Sequence, residues 1–191
     1  MEKQPTYHIR GASTIADDGM RMLHFFDSQL PWLATVGSGA QWGSEPVSVK
    51  EGAQTKYRNK VARSEAHWDD PFSRDWIRAY IAEVDVPVER LTAEVVALGV
   101  DNDDGTRRVP VAAMTLEGRS ADYVRSYLPE QDDSDPFVFM AYLLTDRRTD
   151  AIGRKGVGSA LISHAKDETQ KLGLRRICSD CWRGNDRKLV K

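Results

Sequence analysis

The feature that most constrains this chain is a buried strand, a glycine turn and a helix in close succession. The run "FVFMAYLLTD" (137–146) is continuously apolar before its last two residues, which is typical of a strand covered on both faces. Gly156 and Gly158 follow, and apolar residues then recur at helical spacing until Gly173 signals a helix end. Glycine backbone and free helix N-terminal amides together attract anions. The turn is therefore predicted to bind phosphate.

Basic residues strengthen this prediction. The approach to the glycines carries four basic side chains against two acidic ones: Arg147, Arg148, Arg154 and Lys155 against Asp146 and Asp150. A simpler interpretation stays open, in which the glycines only cap the helix and the arginines only solvate a loop.

Two other phosphate-binding designs can be compared with the turn. A Walker A loop needs G-x-x-x-x-G-K-[ST], and "GRKGVGSA" lacks the closing Lys and Ser/Thr, so that design is excluded. A Rossmann turn needs G-x-G-x-x-G directly after a strand and an acid about 20 residues on. Asp180 lies at about that distance, but Leu161 is too bulky for the third glycine position. The Rossmann design stays open as the weaker alternative.

The C-terminal third of the chain resembles the central motif of the GNAT acetyltransferases. "GRKGVGSALISHAKDETQKLGLRRICSDCWRGNDRKLVK" is similar to that family's coenzyme A pyrophosphate loop, its following helix, strand and next helix. In the family pattern Q/R-x-x-G-x-G/A, Gly156 and Gly158 take the two small positions. Gly153 stands where the family has Gln or Arg, and Arg154 comes one place late. The loop's basic side chain is therefore expected to reach the phosphates differently.

The resemblance implies a fold and a domain organisation. It is specific over about 137–191, looser over 91–118 and weak over 7–90, where "GAQWGSEP" resembles a loop of a small-molecule-acetylating branch. The implied fold is α/β (α+β): a mixed, mostly antiparallel sheet flanked by helices, with a splayed central strand. One domain, 1–191, is expected, with 7–90 as the acceptor side and 91–191 as the sheet and cofactor-binding core. Because the sequence stops at Lys191, before the family's usual ending and its tyrosine, the C-terminal part is expected to be cut short.

The resemblance also implies an activity. GNAT enzymes move an acetyl group from acetyl-coenzyme A directly to an amine, without a metal, and a primary amine of a small molecule is the expected acceptor. A protein or peptide N-acetyltransferase of the same fold, and a non-catalytic coenzyme A-binding module, stay open as alternatives. Cofactor contacts are expected from the central strand and the loop: Leu143, Leu144, Thr145, Arg154, Lys155, Gly156, Val157, Gly158 and Ser159.

Catalytic candidates follow from the chemistry, because an amine must lose a proton to attack. Asp180, after the motif helix, and Glu117, at the end of a predicted strand, are the candidate bases, with Glu45 in a loop as a third. Asn185 matches a residue that contacts the cofactor arm in the family, and it could also cap a helix. An ion pair is the alternative role for Asp180.

Trp42 and Glu45 share the loop that resembles an acceptor-side loop. Both are predicted to bind the acceptor, although a loop tryptophan is often a hydrophobic plug instead.

Composition limits the partners. The formal net charge of −2 favours neither nucleic acid nor an anionic membrane, and no apolar run approaches the ~20 residues that span a bilayer. Cys178 and Cys181 are read as ordinary reduced thiols, because residues three apart in a strand point to opposite faces. A cytoplasmic protein without an export signal is expected, and a homodimer is left open.

Local patterns complete the predicted order of elements. "TYHIRGAS" predicts a strand, and a helix that Pro31 kinks is expected after Asp17 or Asp18. "PFSRDWIRAYIAEVDV" (71–86) is predicted to be an amphipathic helix and "RLTAEVVALGV" (90–100) a strand. "DNDDGT" predicts a turn and "RRVPVAAMTLEG" the returning strand, with Pro110 at its start or on an edge.

Overall fold

The computed structural model describes residues 5–69, 76–129, 134–149, 154–182 and 184. The strands within these ranges are β1 (Tyr7–Gly11), β2 (Ile77–Pro87), β3 (Val100–Asp101), β4 (Thr106–Glu117), β5 (Phe137–Thr145) and β6 (Arg176–Cys178). The helices are α1 (Asp18–Thr35), α2 (Ala53–Ala66), α3 (Ala93–Val96) and α4 (Val157–Lys171), with short 3₁₀ helices at Gly39–Gln41, Val47–Val49, Val88–Arg90 and Asp122–Tyr127.

The strands form one mixed sheet in the order β1-β2-β4-β5-β6, with β3 paired to β4. Every pair is antiparallel except β5 and β6, which are parallel. The predicted fold class, a mostly antiparallel sheet flanked by helices, is confirmed. A doubly wound dinucleotide-binding sheet is parallel, so the Rossmann alternative is wrong.

Helices cover both faces of the sheet. On one face Phe26 of α1 and Tyr57 of α2 pack with Ile81 of β2, and on the other Leu161 of α4 packs with Met114 of β4. The central strands are therefore buried on both sides, which explains the long apolar runs of β4 and β5. Gly173, with a φ of 73°, ends α4 as predicted.

Two register shifts bend the sheet. The first lies between Ala82 and Glu83 of β2, opposite Pro110 and Ala112. Pro110 is therefore tolerated within a central strand because it lies at a bulge, and the prediction of a start or edge position is wrong. The second shift makes Ala141 an extra residue in β5, since Thr115 pairs with Tyr142 and Leu116 with Met140.

Two predicted elements differ from the structure. The segment predicted as a helix over 71–86 is the strand β2 where it is described, from Ile77 onward. Because its apolar residues face the helices on both sides of the sheet, their spacing in the sequence fits the period of a helix as well as that of a strand. The strand predicted over 90–100 is mainly a helical turn, α3, because Thr92 accepts a hydrogen bond from the Val95 amide as its N-cap. β4 and the turn at Gly105 are as predicted.

The first helix also follows its prediction in part. α1 begins at Asp18 and continues through Pro31 to Thr35. Asp17 occupies the N-cap position but makes no capping bond, and instead pairs with Arg58. Within the ranges given above, no helix has both the length and the apolar character needed to cross a membrane.

Candidate active site

A cleft opens where β5 and β6 separate. Their parallel pairing covers only Phe137–Phe139 and Arg176–Cys178, and the chains then diverge. The cleft has a volume of about 670 Å³ and is lined by the second half of β5, by 179–182 and by residues of α1 and the 39–42 turn. The splayed central strand that the family resemblance implied is thus the structural origin of this cleft.

The open edge of β5 offers backbone donors to this cleft. The Asp146 amide donates to the Val111 carbonyl of β4 at 2.7 Å. Because amides alternate sides along a strand, the Leu144 amide faces β4 too, whereas those of Leu143 and Thr145 face away from β4 toward the open edge. Leu143 is 37% exposed, and the Thr145 carbonyl already accepts a hydrogen bond from the side-chain amide of Gln29. Of the three predicted strand contacts, alternation therefore favours Leu143 and Thr145.

The first turn of α4 reaches the same cleft. Gly156 takes the N-cap position with a φ of 86°, a conformation that favours glycine, and Gly158 lines the cleft. A Cβ at Gly158 would have no atom within 4 Å. The Val157 amide donates to Arg154, but the Gly158 and Ser159 amides have no acceptor among the described residues. Open space beside free amides fits an anionic group such as a diphosphate.

Basic side chains around this turn divide into two kinds. Arg148 is a structural residue, since it pairs with the buried Asp146 at 2.8 Å and with Glu94 at 3.0 Å. Arg147, Arg154 and Lys155 pair with no carboxylate within the described ranges. Arg147 instead lies 3.7 Å from the centre of the Trp32 ring and donates to Gln29. Burial and the charge of Arg154 lower the pKa of Arg147. These uncompensated charges favour a bound anion.

Aromatic residues form the opposite wall of the cleft. Phe26 meets Trp42 edge-on at 4.9 Å and Tyr142 at 5.4 Å, and Tyr57 lies behind Tyr142 at 5.7 Å. Burial, and next the neighbouring Tyr142, raise the pKa of Tyr57, so the Tyr57 hydroxyl stays neutral. Trp42 is partly buried, packs with this cluster and lines the cleft. Trp42 can therefore fill a hydrophobic space in the core and line the cleft at the same time.

Asp180 lies at the cleft mouth. Its carboxylate accepts a hydrogen bond at 3.3 Å from the hydroxyl of Tyr123, which belongs to the 3₁₀ helix Asp122–Tyr127. Burial, and after it the negative charge of Asp180, raise the pKa of Tyr123 to about 12. The Tyr123 hydroxyl therefore keeps its proton and remains a hydrogen-bond donor at neutral pH. Asp180 is the single charged side chain among the described residues that line the cleft.

The other predicted site residues are placed elsewhere. Glu117 pairs with Lys60 of α2 at 2.5 Å and lines a separate depression. Glu45 is exposed and is not part of the cleft lining. Asn185 lies outside the described residues. Neither Cys178 nor Cys181 forms a disulfide, and Cys181 lines the cleft. Within the described ranges no group of His, Cys, Asp and Glu side chains could hold a metal ion.

Sequence reasoning missed much of the aromatic wall. Phe26 and Tyr142 read as core residues in their own elements, and only tertiary packing brings them together with Trp42. The short helix at 120–128 could be predicted from the sequence, but its Tyr123 gave no sign of a role in the site, and its partner Asp180 is 57 residues away. No local pattern could have joined them.

Comparisons with known proteins agree with this geometry. No protein-family model and no curated protein sequence matches the chain. Among solved structures, it is similar to the PaiA N-acetyltransferase from Thermoplasma acidophilum in complex with coenzyme A, at 15% identity and a TM-score of 0.51 over 97% of this chain and 85% of that one. It is also similar to a GNAT family acetyltransferase from Listeria monocytogenes, at 14% identity and a TM-score of 0.53 over 94% and 79%.

The fold defines a class of protein. One of these two similar structures is an N-acetyltransferase in complex with coenzyme A, and the other is an acetyltransferase of the GNAT family. The chain has the fold of the GNAT acetyltransferases, and the resemblance predicted from the glycine motif is confirmed at the level of the fold.

Proposed function

We propose that this protein is an acetyl-coenzyme A-dependent N-acetyltransferase that acts on a primary amine of a small molecule. One observation carries the proposal. Gly158, whose amide has no acceptor among the described residues, and the open edge of β5 line a single cleft, and Arg147 lies against Trp32, another residue of its lining. An anion site next to exposed strand amides suits a ligand with a diphosphate at one end and an extended, amide-containing arm.

Several residues would hold this co-substrate. Gly158 and Ser159 would donate backbone hydrogen bonds to the diphosphate, and Arg147, Arg154 and Lys155 would supply positive charge. When bound, acetyl-coenzyme A would supply an acetyl thioester. The amine nitrogen would attack its carbonyl carbon, the C–N bond would form as the C–S bond breaks, and coenzyme A would leave as its thiolate.

The chain's own groups would assist that exchange. The amide of Leu143, or of Thr145, would donate to the acetyl oxygen as negative charge develops there, because the strand holds this dipole fixed. Asp180 would take the proton from the amine, directly or through water. Tyr123 would hold the carboxylate in place by its hydrogen bond. Glu117 is a weaker candidate base because Lys60 already engages it outside the cleft.

Binding and turnover can be tested separately. Acetyl-coenzyme A should raise the unfolding temperature of the protein, whereas a nicotinamide dinucleotide should not. Release of free thiol from acetyl-coenzyme A in the presence of amines then measures transfer. Stabilisation without thiol release from any amine would make the protein a coenzyme A-binding module, and no stabilisation at all would refute the proposal.

The assignment of Asp180 has its own test. Asp180→Asn should lower turnover by about 100-fold at neutral pH, within the range for loss of a general base, and leave acetyl-coenzyme A affinity nearly unchanged. Tyr123→Phe is the matched control, because it removes only the hydrogen bond to the carboxylate and should cost less. Equal turnover in Asp180→Asn and the unmodified protein would remove Asp180 as the base.

A further inference from the structure

The acceptor end of the cleft is built largely from aromatic rings. Six aromatic side chains line the cleft as a whole: Phe26, Trp32, Trp42, Tyr123, Tyr142 and Trp182. Trp32 lies beneath Arg147, on the side predicted to bind phosphate. The contacts of Phe26 with Trp42 and Tyr142 place those three rings together, at the part of the cleft that the proposed function leaves for the acceptor. Such a wall presents ring faces and edges to a ligand, and few polar groups.

Few charged groups lie near these aromatic rings, and the negative and positive ones lie in different places. Asp180 supplies a single negative charge among the described lining residues. The ammonium of Lys60 lies 5.2 Å from the centre of the Tyr142 ring, on the wall's far side, held by Glu117. A ligand with one ammonium group would find one carboxylate. A second ammonium would find no second carboxylate among the described lining residues, and the Lys60 ammonium already lies against the Tyr142 ring.

We infer that the acceptor is a monoamine whose body is apolar and about the size of one aromatic ring. This inference rests on the proposed function and narrows it. Stacking against Trp42 and Tyr142, which the buried Phe26 supports, would hold the body, and the ammonium, or the neutral amine formed from it, would lie beside Asp180. The cleft of about 670 Å³ must also admit the thioester arm, which leaves room for a small acceptor.

Three matched ligands separate the contributions of ring and charge. 2-Phenylethylamine has the ring and one charge, 2-phenylethanol has the ring without the charge, and 1,4-diaminobutane has two charges without the ring. Calorimetric titration of the full chain, without acetyl-coenzyme A, should give 2-phenylethylamine a dissociation constant at least tenfold below both others. The thiol-release assay should give it the highest kcat/KM. A diamine or an alcohol that binds as tightly as 2-phenylethylamine would overturn the inference.

Two variants locate the two contributions. Trp42→Leu should erase most of the preference over 1,4-diaminobutane, and Asp180→Asn most of the preference over 2-phenylethanol. The unfolding temperature controls for folding, and the ligand comparison in the unmodified protein decides the inference even where a variant fails to fold. If acetyl-coenzyme A neither binds nor reacts while the ligand preference holds, the proposed function fails alone. If transfer is fastest to the diamine or to a peptide amine, the inference fails alone.

Discussion

Replacement of Gly158 by glutamate is the sharpest test of the anion site, because it adds charge without strain. A Cβ at this position would meet no atom within 4 Å, and its φ lies outside the left-handed region. Gly156 is a poorer target, since its φ of 86° would strain any other residue whatever its charge. Glutamate in the first turn of α4 should even stabilise the free protein, through higher helix propensity and the helix dipole.

The magnitude follows from the charge placed beside the expected diphosphate. One unit charge about 4 Å from another is worth about 1 kcal/mol in water and about 4 kcal/mol near a protein surface. Because 1.4 kcal/mol is a factor of about ten, Gly158→Glu should raise the dissociation constant of acetyl-coenzyme A by about fivefold to several hundredfold. Gly158→Gln has nearly the same shape without the charge and isolates the electrostatic part.

Calorimetric titration with acetyl-coenzyme A should rank the three proteins, with Gly158→Glu weakest and Gly158→Gln between it and the unmodified chain. Thermal unfolding without ligand should show both variants at least as stable as the unmodified protein. Equal affinities for the glutamate and glutamine variants would mean that no phosphate lies near the start of α4. The assignment of the diphosphate to these amides would then be wrong.

Three further predictions concern charged groups. Asp18→Asn should cost about 3 kcal/mol of unfolding free energy, because its fully buried carboxylate pairs with two arginines. Asp85→Asn should cost about 1 kcal/mol of unfolding free energy at pH 7. Hydrogen bonds from Arg108 lower the pKa of Asp85, so the charged carboxylate stabilises the fold at pH values above the ordinary carboxyl pKa. The difference in unfolding free energy between the variant and the unmodified protein should therefore narrow as the pH falls below about 4. Arg147→Gln should weaken acetyl-coenzyme A binding with little loss of stability, whereas Arg148→Gln should lose about 2 kcal/mol in chemical denaturation because its buried partner is left unpaired. Identical behaviour of the two arginine variants would contradict this division of roles.

The elements that could be predicted from sequence are those in which local signals agree. The run that became β5 is apolar as far as Leu144, and the turn at Gly156 and the end at Gly173 bound α4 with residues that accept positive φ. β2 was mistaken for a helix because Trp76, Ile77, Tyr80 and Ile81 also fit the helical period. A strand buried on both faces carries no alternation to exclude that interpretation.

The site was only partly predictable for a related reason. Glycines and nearby basic residues are adjacent in sequence, so the anion site could be found there. The sequence could not show which arginine lacks a carboxylate partner among the described residues. Arg148 pairs with Asp146 and Glu94, and only folding brings Glu94 next to it. The partnership of Tyr123 with Asp180 also depends on elements far apart in sequence.

The extra residue in β5 links the cleft to its aromatic wall. Before the bulge, Met140 faces the α4 side with Val138. Without Ala141 as an insertion, strand alternation would place Tyr142 on that same side, away from Phe26. The bulge moves Tyr142 to the face of α1 and α2, just where β5 has left β6. A bulge also bends its strand. One residue therefore sets both the opening for a co-substrate arm and the ring that an acceptor would contact.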